Sequence, residues 1–90
     1  MFTTTNLRIL RHKYGISLKE LARHCHFSYQ YLSQLDLGQI NRTQRNEAKL
    51  DAAVEAVIAS RKAKLVELEH SYQTCRGQLL YTLEVEADEL

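Results

Sequence analysis

Tyr29, Gln30, Ser33 and Gln34 are the residues in this chain whose types and spacing suit specific recognition. Positions 29 and 33, like 30 and 34, lie four apart, so a helix through them shows all four on adjacent tracks. Hydroxyls and carboxamides both donate and accept hydrogen bonds. A helix face of this kind suits the reading of DNA, and the surrounding charge agrees. Residues 1–49 carry eight basic side chains (Arg8, Arg11, Lys13, Lys19, Arg23, Arg42, Arg45, Lys49) against three acids (Glu20, Asp36, Glu47), a net of +5. Residues 50–90 carry four against eight, a net of −4. A basic N-terminal half beside an acidic C-terminal half suggests a polyanion-binding head on a solvated body.

Other reactive residues lead nowhere comparable. His24, Cys25 and His26 are adjacent, and neighbours on a helix point about 100° apart, so they do not converge on one ion. No metal and no cofactor are expected. Ser17, Ser28 and Ser33 are explained as caps and surface hydroxyls, and His70 as a solvent-side residue. With no glycine-rich phosphate loop and no nucleophile beside a base, no catalytic residue and no enzyme activity are expected. Cys25 reads as a small core residue and Phe27 as a plug under a turn.

The elements that would position the polar face lie between Ser17 and Gly38. Ser17 can cap a helix, and Glu20 three residues on completes a capping box. Leu18, Leu21, Ala22 and Cys25 then recur at helical spacing. Ser28 is a second N-cap. Leu32 and Leu35 form the buried side of the next helix, and Gly38 sits where a left-handed C-terminal cap belongs. Two helices of about eight residues with two or three between them match helix-turn-helix geometry.

The remainder is also helical in pattern. Ninety residues with no proline and three glycines favour an all-α chain of one domain, or a small domain with an extension. With no signal segment, no apolar run near the ~18 residues of a membrane span, and two cysteines lacking a motif, a cytoplasmic protein with reduced thiols is expected. Residues 1–5 read as a loose arm. Thr5 or Asn6 can cap a first helix with a buried stripe of Leu7, Leu10 and Tyr14, ended by Gly15. After a loop containing Arg42, Thr43 or Asn41 can cap a long helix. From Ile58 the series 58, 61, 65, 68, 72, 75 and 79 alternates steps of three and four, as a heptad seam does, with Arg61 interrupting it. Gly77 marks a weak point, beyond which LLYTLEVEADEL continues as helix or forms a short separate element. The acidic last residues are expected to fray.

Leu7-Arg8-x-Leu10-Arg11, Gly15-Ile16-Ser17, Leu21-Ala22, Ser28 and Leu32-Ser33-x-Leu35-Asp36-x-Gly38 together resemble the Cro and phage-repressor type of helix-turn-helix domain, the XRE family. The match covers about a third of the chain without an insertion. The resemblance implies a lambda-repressor-like bundle of four to five helices; the long C-terminal helical extension, read from the periodicity, has no counterpart in the family's minimal domain from about Ser60 onward. Helix 29–37 would then lie in the major groove of double-stranded DNA, in a homodimer. Tyr29, Gln30 and Gln34 would meet base edges. Ser28, Tyr31, Ser33, Arg42 and Arg45 would contact phosphates. Arg11 and Asp36 would form a structural ion pair between helices one and three. Leu18 replaces a common phosphate-binding Gln, and His26 stands where the turn often places a Gly with positive φ.

The expected organisation is a helix-turn-helix domain at 1–58 and a dimerisation element at 59–90. The expected function is a transcriptional regulator, a repressor, acting as a homodimer. The alternative is a protein-interaction module, an antitoxin or adaptor, in which the seam Ile58, Leu65, Leu68, Tyr72 and Leu79 grips a different protein.

Overall fold

Each helix begins at a hydroxyl. In the computed structural model, which describes residues 3–86, Thr5, Ser17, Ser28 and Thr43 each accept a hydrogen bond from the backbone N–H three residues on. This satisfies one of the donors that a first helical turn leaves unpaired. The helices they start are α1 (Asn6–Tyr14), α2 (Leu18–Ala22), α3 (Tyr29–Asp36) and α4 (Gln44–Cys75). Every regular element among the described residues is therefore helical. None of these helices is long and apolar enough to cross a membrane. The expectations for Met1 and Phe2 and for the acidic residues 87–90 lie outside the described residues.

Glycine closes α1 and α3. Gly15 and Gly38 take φ of 61° and 76°, a left-handed conformation that costs other residues more. After α3, the Gly38 N–H donates to the Leu35 carbonyl and the Gln39 N–H to the Gln34 carbonyl, the paired bonds of a Schellman cap. After α1, the Ile16 N–H donates back to the Arg11 carbonyl at 2.8 Å, which turns Ile16 into the core.

That core consists of Ile16, Leu21, Leu32, Ala53 and Val57, flanked by Leu7, Leu18, Ala22, Cys25, Phe27, Leu50 and Val54. The short α2 packs against both α3 and the first half of α4. The remainder of α4 runs on past the bundle: residues 61–74 are all exposed. The boundary expected at 58/59 falls inside α4, which passes through it unbroken.

Several expectations require correction. The second helix has five residues rather than about eight, because bonds from the N–H of Arg23, His24 and Cys25 to the third carbonyl back tighten the chain out of the α-helix. Cys25 therefore belongs to the turn, although it still packs on the core. The capping box is only half made: Ser17 accepts from the Glu20 N–H, but the Glu20 carboxylate turns to Arg61. Thr5 is anchored rather than loose, since its hydroxyl also donates to the Asp36 carbonyl at 2.6 Å. Leu10 and Tyr14 are exposed, not buried, because among the described residues nothing covers that side of α1. Gly77 lies beyond the helix end. After it come a turn held by Gln78 and Tyr81 and then residues without regular structure, so Leu79 leaves the helical register of the seam.

Arg61 has a role that its place in the heptad series concealed. Its guanidinium donates to the Tyr14 and Gly15 carbonyls at 2.8 and 3.1 Å and grips both Glu20 oxygens at 3.0 and 2.7 Å. One side chain of α4 thus closes the end of α1 and holds α2 in place. The Glu20 carboxyl is kept below its ordinary value, chiefly by those hydrogen bonds from Arg61.

Candidate nucleic-acid interface

The polar face of α3 is only as well placed as the helix beneath it, and the helix is anchored at its C-terminal end. Asp36 is 1% exposed. Its carboxylate accepts from Arg11 Nε at 2.9 Å and Arg11 Nη2 at 2.7 Å, a two-pronged pair, and from Arg8 Nη1 at 3.1 Å. The remaining Arg11 prong donates to the Ile16 carbonyl at 2.9 Å. Among the described residues, no buried side-chain polar atom lacks a partner, as a dry site holding charge demands. Burial pushes the Asp36 carboxyl up, but the hydrogen bonds and charge of Arg11, then those of Arg8, outweigh it and bring the group below its ordinary value of 3.8.

At the other end of α3, Tyr31 does the anchoring. Its hydroxyl accepts from Asn46 Nδ2 at 3.0 Å, and its ring lies 5.2 Å from that of Phe27. Lys49 stands over Phe27 at 5.4 Å, a cation–π arrangement. Tyr31 is thus half-buried and joined to α4, and its O–H proton is what it could offer a phosphate. Asn46 was not singled out from the sequence. Its only local signal was its position in the first turn of a capped helix.

Between these anchors the four polar residues divide into two groups. Tyr29 and Gln30 are exposed; Ser33 and Gln34 are half-buried on the flank of α3. Ser28 is exposed, and its oxygen is occupied as the α3 cap. Arg45 is exposed, whereas Arg42 is paired: its Nε donates to Glu47 Oε1 at 2.7 Å in an open, solvent-facing contact. Leu18 is half-buried against the core. His26 takes no special conformation, since no non-glycine residue among those described has a positive φ. The turn is instead lengthened by the early end of α2.

Of the seam residues, Ile58, Leu65, Leu68 and Tyr72 are exposed along α4, away from this face-forming set.

Glu47 sets a testable competition. Were Arg42 to grip a phosphate, the Glu47 carboxylate at its Nε would compete for the guanidinium charge. In a DNA complex of two copies, Glu47→Gln would then tighten binding by up to about thirtyfold, the equivalent of two exposed pairs worth ~0.2–1 kcal/mol each. Fluorescence anisotropy titration would measure it, and an unchanged affinity would place Arg42 off the backbone. No protein-family model, curated protein sequence or solved structure matches the chain.

Proposed function

We propose that this protein is a sequence-specific DNA-binding regulator of the Cro and phage-repressor kind, with a lambda-repressor-like domain. In this reading α3 enters the major groove, and two copies occupy a pseudo-palindromic operator and repress from it. The observation that carries it is a short helix offering Tyr29, Gln30 and Gln34, held at both ends by Asp36 and Tyr31, in the basic half of the chain. Gln30 and Gln34 are the base readers, because a carboxamide can pair with the adenine edge through two hydrogen bonds. Tyr29 reaches a thymine methyl or a phosphate. Arg42 and Arg45, with Ser28, Tyr31 and Ser33, grip the backbone and set the register.

Selection from a random duplex library tests the proposal. It should enrich a two-fold symmetric site, and Gln34→Ala should weaken binding by ~1–3 kcal/mol per half-site while relaxing one base position in each. Enrichment of no sequence would refute specific recognition. The second reading, a module that grips another protein, draws on the exposed Leu65, Leu68 and Tyr72. Light scattering separates the two, since a chain that stays monomeric favours the different partner.

A further inference from the structure

The exposed side of α4 is not an arbitrary one. At 100° per residue, Leu65, Leu68, Tyr72 and Cys75 all fall within about 40° of Arg61 around the helix axis. Arg61 points at the bundle, where it holds Tyr14, Gly15 and Glu20. The apolar strip past the bundle is therefore the continuation of the face that packs the bundle's own core through Leu50, Ala53 and Val57. Where the two meet lies an apolar groove of about 370 Å³. Leu10 and Tyr14 of α1 form one wall, Ile58 and Leu65 of α4 the other, and Lys62 the rim.

We infer that the groove is filled by a second copy of this chain, whose α4 lies antiparallel to the first and lays Tyr72 between Leu10 and Ile58. With Leu65 of one copy opposite Leu68 of the other, each groove receives the far end of its partner's α4, so one contact forms twice about a two-fold axis. Charge fits this arrangement: Lys62 and Glu69 occupy the same flank of the helix and meet across the axis in both directions. A parallel pairing would also bring opposite charges together, Lys64 with Glu69. There, however, the partner's upper α4 runs into the space that α1 and α2 already occupy. The occupied face, not the charge, decides the direction. Of the functional reading this takes only that two copies act together, and its test contains no DNA.

Light scattering of the intact protein under reducing conditions should give a dimer, and Leu68→Asp, a change at an exposed site, should give a folded monomer by circular dichroism. Oxidation then reports direction. In the antiparallel pair, Cys75 lies near Ile58 of the other copy, about 25 Å from its counterpart at 1.5 Å per residue, beyond disulfide reach. Mild oxidation should leave the wild-type chain uncrosslinked. A mixture of Leu65→Cys and Leu68→Cys chains, each also carrying Cys25→Ser and Cys75→Ser, should crosslink with each other. A monomeric wild type, or a dimer covalently linked through Cys75, overturns the proposal. A link through Cys75 overturns the pairing direction alone and leaves the DNA-binding reading standing; a monomer also counts against two copies acting together, and the DNA selection then decides whether specific recognition survives without them.

Discussion

Asp36→Ala is expected to remove about 3–5 kcal/mol of folding stability, the range for deleting one partner of a buried ion pair. Native domains hold about 5–15 kcal/mol in total, so the variant should be largely unfolded in mild urea. The loss comes less from missing attraction than from what remains: an Arg11 guanidinium 8% exposed, with two of its donors facing an alanine. Arg8→Ala should cost much less, because that side chain reaches the same carboxylate from a partly solvated position. Replacing both buried partners, Arg11→Met with Asp36→Leu, should recover much of the loss, since no charge is then stranded. Urea unfolding followed by helical circular dichroism gives these values. A loss below 1 kcal/mol for Asp36→Ala would show that the pair does not hold α3 to α1. The same carboxylate sets an acid limit. Its folded value is depressed, so its contribution is complete above the unfolded value near 3.8 and disappears as the pH falls through the folded one. Melting temperature should therefore be little changed by this group from pH 7 to about 5 and should drop below about 4, and Asp36→Asn should flatten that drop.

Raising salt from 50 to 200 mM should weaken DNA binding about a hundredfold. Arg42 and Arg45 supply two ionic phosphate contacts per copy in the proposed complex, so a dimer makes four. Each phosphate neutralised contributes about −0.9 to the slope of log affinity against log salt, giving roughly −3.6 in all. Ser28, Tyr31 and Ser33 would bond phosphates without charge and so add nothing to that slope. Arg45→Ala should lower its magnitude by about 1.8, because two contacts disappear from the dimer, and should do so equally on any sequence. A slope near zero would contradict a backbone grip by these residues.

Much of the local architecture could be read from single residues. Ser17, Ser28 and Thr43 begin helices because their oxygens satisfy N–H groups three residues on, and Gly15 and Gly38 end them because they reach a left-handed φ. Such signals lie within a few residues of the event they control. The Arg11–Asp36 pair spans 25 positions, and only the family pattern pointed to it. Arg61 spans 41 residues to Glu20 and looked like a flaw in an apolar series, since nothing local tells a misplaced charge from a long-range clamp. Periodicity marks Leu10 and Tyr14 as an apolar face of α1 without saying what covers it, and both are exposed. The end of α2 is hidden for a related reason: Cys25 keeps the helical spacing of core contacts after the backbone has left the helix. In the candidate interface, the types and order of Tyr29, Gln30 and Gln34 were legible, whereas the occupation of Arg42 by Glu47 and of Tyr31 by Asn46 required the folded chain.

The clamp at Arg61 gives α4 a phase. The helix is fixed in rotation where Ala53 and Val57 enter the core and Arg61 closes the α1 end, and every residue beyond inherits that angle through continuous helix. One residue inserted between Arg61 and Leu65 would swing Leu65, Leu68 and Tyr72 by about 100° and advance them ~1.5 Å, out of line with the groove. Seven would nearly restore the angle while moving the same side chains ~10 Å outward. In the proposed dimer, length changes in this segment are thus tolerable only in whole heptads, and each heptad would reset the distance between its two bundles.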